Sequence, residues 1–476
     1  MVQSYLDEFT NVTPHGFGLV KVKDDVQEAM LALDEGVNKE RLALLARLNA
    51  GSQGPPDVVF QGLMARCANS STRAKLYRAW HVASDAAASS RITAVDCLLR
   101  ERWERSATIH LSNPLEATLT RSRVTETEAR EFTSRYLVRS IENIRGLERR
   151  IASATGVSES SLAHFPHYLK QKAGGESLPV FRMHQVIEFV QHVLSSLGFD
   201  AVIVRRDDSA GWIIAVSGRT GPTQASGYLQ FDVWPPRLRG RKVPADSTGG
   251  GNGKSGLTGH ILARVGWSRG HAAMTFEAFQ SVLHETGHAL EHIFSGYRIP
   301  DNDGMGRMPL ERIECSSMWW EKLAFHASVE YSFGFDGEEI HRLNLCRSIR
   351  AAEFLRSDVE RAVVAAVDLE AHSRSTDLAT AYQVVNREFD VRGWVPLASV
   401  PGYYTWPVFR CLPGASFLYL WGAAESSYNA NQLKGRGLES LLECGVTATS
   451  TRERYQNFDE RFNSVMEFYG EWEMYG

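Results

Sequence analysis

Residues 283–292 read LHETGHALEH, a segment dense in groups that bind metal ions and move protons. His284 and His288 are four apart. On a helix that spacing puts both imidazoles on one face, about one turn apart, where they can reach a single ion. Glu285 directly follows the first histidine, where it can hold a water on that ion and take its proton. The pattern HExxH is read here as a metal site that works on water. The plainer alternative is a pair of helix histidines hydrogen-bonded locally. Against it, Val282, Leu283, Leu290 and Ile293 mark the segment as buried, and a buried glutamate between two histidines is costly unless it is paired or works on a metal.

A catalytic zinc site needs a third protein ligand and an open position. His292 lies two turns beyond His284, about 12 Å along a continuous helix. No glycine separates His288 from His292 to let the chain fold back, so His292 is read as a supporting or surface histidine. Downstream, PLERIECSSMWWEKLAFH (residues 309–326) reads as a second amphipathic helix, with Glu311, Glu314 and Glu321 set among Ile313, Met318, Trp319, Trp320 and Leu323. Glu314 and Glu321 are seven apart and share a face, and a carboxylate on an apolar face seeks a cation. Glu314 is read as the third ligand and Glu321 as the carboxylate that orients a ligating histidine. Cys315 points about a third of a turn away and ranks low. An ordinary salt bridge from Glu314 to Arg307 or Arg312 is the alternative.

The elements that must hold these residues are mostly helices. The periodicity predicts a helix over about residues 275–295, closed by Gly296, for the histidines. Upstream, apolar residues recur at helical spacing in DVQEAMLALDEG, in NKERLALLARLN, and from Thr72 over one long helix or two joined ones. Residues 125–154 open with an N-cap-like threonine and early acids, and residues 181–198 end in a capping glycine. Between them and the histidine helix, DAVIVRR, GWIIAVSG, GYLQFDVW and HILARVGW are β-branched and aromatic runs broken by Gly, Pro and Asp. They predict a small sheet over residues 200–267. The expected organisation is a helical region at 1–199, the sheet at 200–267 and a helical catalytic region at 268–476. The stretch STGGGNGKSG (residues 247–256) contains GKS, but Thr248 stands where a P-loop needs glycine, and strand follows rather than helix. It is read as a glycine loop free to move over a cleft.

The 476 residues, 43% hydrophobic and 23% charged, suffice for a core that needs no disulfide or structural metal. A formal charge of −4 gives no reason to expect nucleic acid or an acidic membrane as partner. Cys67, Cys97, Cys315, Cys346, Cys411 and Cys444 are scattered without a CxxC pair, as expected of reduced thiols. No secretory pattern opens the chain and no apolar run reaches about 18 residues, so a cytoplasmic protein without a membrane span is expected.

HETGHALEHIF followed by LERIECSSMWWEKL resembles the thimet oligopeptidase and oligoendopeptidase F family of zinc peptidases, whose HExGHxxH is followed by an ExxSxxxE helix. GYLQFDVWPPRLRGRK (residues 227–242) is similar to that family's GYxxFDxYxRxGK strand beside the substrate cleft. ECSSMWWEK is also similar to a helix of the carboxypeptidase Taq family, but FDVWPPR favours the first. The resemblance implies a mainly α fold, a helical ellipsoid with a deep substrate channel and a small sheet beside one zinc ion. It implies hydrolysis of short peptides, with zinc on His284, His288 and Glu314 and with Glu285 as general base. It further implies substrate contacts at Gly227, Tyr228, Asp232 and Arg237. The chain departs from the family in being shorter, in having Glu291 where the motif has a third histidine, and in having no histidine after His372. Ser416 stands where the family has a catalytic tyrosine, leaving Tyr419, Tyr403 and Tyr404 as candidate oxyanion donors. A narrow-specificity peptidase that processes one dedicated precursor or biosynthetic intermediate, or a non-catalytic peptide binder, are the alternative readings. Oligomeric state has no signature in the sequence.

Overall fold

A computed structural model describes residues 43–45, 56–122, 124–157, 162–174, 178–205, 211–218, 226–234, 257–264, 266–268, 271–298, 310–405, 412–432 and 458–474. The expected helix DVQEAMLALDEG, all of NKERLALLARLN but its helical residues 43–45, the glycine stretch 247–256 and Arg237 lie outside the described residues, as does the side chain of His292.

The fold is mainly α. Helix α1 (Pro56–Arg66) is followed by α2 (Ser70–Thr108), α3 (Leu115–Ser122), α4 (Glu126–Thr155) and α5 (Phe165–Ala173). The run from Thr72 is therefore one helix of 39 residues, begun by Asn69, whose side chain accepts from the Thr72 amide at 2.8 Å. Thr125 begins α4 with a reciprocal capping box to Glu128, satisfying two amides that a helix start otherwise leaves open.

Residues 181–198 are not a single helix. Phe181–Arg182 form a short strand β1 before α6 (Met183–Ser196), and Gly198 follows with φ 80°. Strand β1 pairs with β7 (His271–Met274), Phe181 opposite Met274. Phe181 also stacks on Phe279 at 4.8 Å and meets Phe276 and Phe333, so aromatic packing and a strand pair together override helical periodicity there.

The central strands are β2 (Phe199–Arg205), β3 (Trp212–Gly218), β4 (Ser226–Trp234) and β5 (Leu257–Arg264), in that spatial order. The first three form an antiparallel meander, whereas β4 and β5 run parallel. HILARVGW does not stay in one strand, because Gly266–Ser268 (β6) leaves for the second sheet, ordered β1-β7-β6. Alternation buries Ile214, Val216, Leu229, Phe231 and Ile261 on one face, against α6 and α7 (Phe276–Arg298).

Helix α7 is continuous to Arg298, past the predicted stop at Gly296. A helical glycine costs only about 1 kcal/mol relative to alanine, too little to end a helix held by its buried face. After it come α8 (Leu310–Lys322), α9 (Ser328–Phe333) and α10 (Gly337–Ser373), then α11 (Leu378–Phe389), α12 (Phe417–Gln432) and α13 (Phe458–Glu473). Helix α10 starts with a second capping box, Asp336 with Glu339. It packs along α4, while α8 lies between α7 and α12. Among the described residues, no helix is long and apolar enough to cross a membrane.

Candidate metal centre

Helix α7 carries His284, Glu285 and His288 outward from its buried stripe of Phe279, Val282, Leu283, Leu290 and Ile293. Helix α8 crosses it at Gly287. A Cβ there would lie 2.6 Å from Ser317 Cα and 2.9 Å from the Ser316 carbonyl oxygen, so only glycine lets the two backbones meet this closely. A second glycine, on α12, lets that helix approach α8 in the same way. A Cβ on Gly422 of α12 would lie 2.9 Å from Glu314 Cβ and 3.1 Å from Met318 Sδ. Two glycine contacts thus clamp α8 between its neighbours with Glu314 facing the histidines.

His284 Nε2 stands 3.1 Å from His288 Nε2 and 3.8 Å from Glu314 Oε2, and His288 Nε2 stands 3.9 Å from the same oxygen. One donor atom from each residue lies within 4.8 Å of the others, the grouping among the described residues that could hold an ion. A tetrahedral zinc with ligands at about 2.0–2.2 Å keeps its donors roughly 3.3–3.6 Å apart. The observed spacings bracket that range, and two imidazoles with one carboxylate suit zinc. The residues present fit the ion.

Glu321 Oε2 lies 3.3 Å from His284 Nδ1, so it takes that N–H and leaves Nε2 to face the cluster. Burial alone would lower the His284 pKa, but Glu321, Glu314 and Glu285 outweigh it and push it up to about 9. The His284–Glu321 contact, with Lys322 and Arg361 nearby, brings the Glu321 carboxyl down to about 2 against its own burial. Burial and the His284 charge together hold His288 well below the ordinary histidine value. No described residue bonds His288 Nδ1. Glu285 is raised by burial and by the Glu314 charge, with His284 opposing, which makes it a stronger base than an exposed carboxylate.

Glu314 accepts from the Ser317 hydroxyl at 3.2 Å and from Tyr419 on α12. Its burial still outweighs these bonds and raises its pKa. The Tyr419 phenol is pushed well above its usual value by burial and by Glu314 and Glu285, so it stays a donor. The other two tyrosines turn elsewhere. Tyr404 is buried and donates to Asp368 at 2.9 Å, and Tyr403 bonds Glu360 of α10. Ser416, at the foot of α12, also donates to Asp368 and is buried away from solvent.

Gly227, Tyr228 and Asp232 sit on β4, which with β5 packs against α7. Strand alternation puts Tyr228 and Asp232 on the face opposite the buried Leu229 and Phe231, hence away from α7, with Asp232 accepting from Gln230 at 2.8 Å. Sequence reasoning missed Gly422, for which no local pattern gives a signal. It also passed over Ser317, although the ExxSxxxE pattern contains that serine.

No family model matches this sequence, and no curated protein matches it. Two solved structures share its fold at 12% sequence identity. One is described as "putative peptidase from Chlamydophila abortus", with a TM-score of 0.53 over 94% of this chain and 73% of that one. The other is described as "putative Oligoendopeptidase F", with a TM-score of 0.51 over 94% of this chain and 75% of that one. At this identity the likeness is one of fold: the chain has the mainly helical architecture of these two structures.

Proposed function

We propose that this protein is a zinc-dependent peptidase acting on short peptides. The observation that carries the reading is the convergence of His284, His288 and Glu314 beside Glu285. The fold shared with two structures described as peptidases supports it, as does the resemblance in sequence motifs. Zinc bound by these three residues would polarise the scissile carbonyl and acidify a water. Glu285 takes the water proton and returns it to the leaving amine, a role its raised pKa favours. Glu321 keeps the His284 ring oriented through Nδ1. Tyr419, the one candidate tyrosine bonded to Glu314, would turn its single hydroxyl hydrogen from Glu314 to the developing oxyanion. We assign no such role to Tyr403 or Tyr404, whose hydroxyls bond Glu360 and Asp368 rather than a residue of the cluster.

The test pairs elemental analysis with peptide-library mass spectrometry. Purified protein should carry one zinc per chain and cleave short peptides. Glu285→Gln should keep the zinc and lose cleavage. Protein without stoichiometric zinc, or a Glu285→Gln variant as active as wild type, would refute the reading. Turnover confined to a few library members would point to the narrow-specificity form of the same enzyme.

A further inference from the structure

The buried cluster around Asp368 has no part in the chemistry above, yet it ends one helical turn from Tyr419. Asp368 lies on α10, and its carboxylate gathers donors from three residues, one of them on the same helix. Tyr404 donates to Oδ1 at 2.9 Å, His372 Nδ1 lies 3.0 Å from Oδ1, and Ser416 presents its amide at 3.4 Å and its hydroxyl to Oδ2. Arg102 of α2 meets His372 Nε2 at 2.7 Å. An arginine can only donate, so Nε2 accepts and Nδ1 carries the hydrogen that faces Asp368. Arg102, Asp368, His372, Tyr404 and Ser416 are all at most 3% exposed. No substrate reaches a cluster so enclosed, so its role is structural or transmitted.

Its geometry says what is transmitted. Ser416 immediately precedes α12, where a serine hydroxyl ordinarily accepts from an amide of the first turn. Here that hydroxyl donates outward to Asp368 instead. The carboxylate sits at the helix N-terminus, where the helix dipole favours negative charge. The Ser416 carbonyl in turn accepts the Tyr419 amide at 3.2 Å, so the two residues share the first turn of α12. That turn is the one that aims the Tyr419 hydroxyl at Glu314.

We propose that Ser416 is a positioning residue: bonded to Asp368, it locks the first turn of α12 and thereby holds the Tyr419 hydroxyl on Glu314. On this reading the serine is no vacancy left by a lost catalytic tyrosine. It is the latch for the tyrosine one turn on. The kinetic consequence rests on the peptidase function proposed above; the placement of Tyr419 does not.

Four proteins test it: Ser416→Ala, Ser416→Thr, Tyr419→Phe and the double variant Ser416→Ala/Tyr419→Phe. Ser416→Ala should lower kcat roughly tenfold or more with KM unchanged, and Ser416→Thr, which keeps the hydroxyl, should restore it. In the Tyr419→Phe background Ser416→Ala should cost nothing further. Multiplying losses would overturn the proposal. A readout independent of turnover is the ¹⁹F resonance of 3-fluorotyrosine placed at position 419. Ser416→Ala should shift or broaden it and Ser416→Thr should leave it in place. An unmoved resonance in Ser416→Ala overturns the proposal. If wild type cleaves no peptide, the peptidase reading fails and the resonance still decides the role of Ser416. Should Ser416→Ala fold poorly, Ser416→Cys provides the same comparison with a weaker donor.

Discussion

Individual residues divide the work at the candidate centre by what each carboxylate faces. Glu314 faces both histidines, Glu321 faces the far nitrogen of His284, and Glu285 feels the charges of His284 and Glu314. Removing a partner of this kind typically weakens metal binding 10- to 100-fold. Glu321→Gln should therefore lose zinc affinity by about that factor in a chelator competition while Glu285→Gln loses none. Lys322, next to Glu321, is buried; it donates to Ser426 at 2.7 Å and to the Met318 carbonyl at 3.5 Å and lies over the rings of Phe468 and Tyr469. Burial lowers its pKa from 10.5 to about 8, with Glu321 opposing. Between those values the unfolded chain holds the proton and the folded chain has released it, so this group favours folding increasingly as pH rises from about 8 toward 10.5. Below that window both states are charged and the full burial penalty applies. Lys322→Met removes the penalty, so its advantage over wild type in urea midpoint should be largest near about pH 7 and shrink by about pH 10. A gap that does not narrow with pH would contradict this account.

At the scale of elements, the centre exists because α8 can approach α7 and α12 together. The spacing of His284 and His288 is set within one helix, but the place of Glu314 is set by backbone contact at Gly287 and Gly422. Gly287→Ala puts a methyl group 2.6 Å from a backbone atom, which cannot swing aside as a side chain can. The helices must separate, at a cost of about 1–3 kcal/mol typical of overpacking. Both Gly287→Ala and Gly422→Ala should lower zinc affinity and the melting temperature while leaving far-UV circular dichroism unchanged. Zinc binding as tight as wild type in both variants would show that α8 is held by other means. The sheet contributes differently: its buried face of Leu229, Phe231 and Ile261 packs against α7, while Tyr228 and Asp232 look the other way.

Over the whole molecule, α13, the last described helix, ties α10, α12 and α5 together. On α13, Arg461 Nε lies 2.6 Å from Glu425 Oε2 on α12, both less than 10% exposed. Further along, Glu473 accepts from Tyr168 at 2.6 Å, and its carbonyl accepts from Lys172 at 2.8 Å. Phe354 of α10 stacks on Tyr469 at 3.7 Å between them. A buried ion pair adds little net stability, but removing one member strands the other in the interior. Arg461→Ala should therefore destabilise the protein by about 3–5 kcal/mol in denaturant titrations, and the double variant Arg461→Met/Glu425→Leu should recover most of the loss. Equal stability of Arg461→Ala and wild type would mean that water reaches Glu425.

The sequence alone determined the features whose geometry is local. His284 and His288 share a helix face because i and i+4 always do, and Glu285 directly follows the first of them. Thr125 and Glu128 cap a helix because both partners lie within one turn. The helical stretches and the β-branched runs likewise announced themselves by period. Tertiary contact decided the rest, since it joins residues that no spacing relates. Phe181 and Arg182 left a helical pattern for a strand because Met274 and a cluster of phenylalanines were waiting for them. Strands β4 and β5 turned out parallel, although sequence order alone offered no register between them. Gly422 showed its use only against Glu314. Of the three candidate tyrosines, Tyr419 alone meets Glu314, while Asp368, 48 residues before Ser416, bonds the first turn of α12 through Ser416 and takes up the hydroxyl of Tyr404.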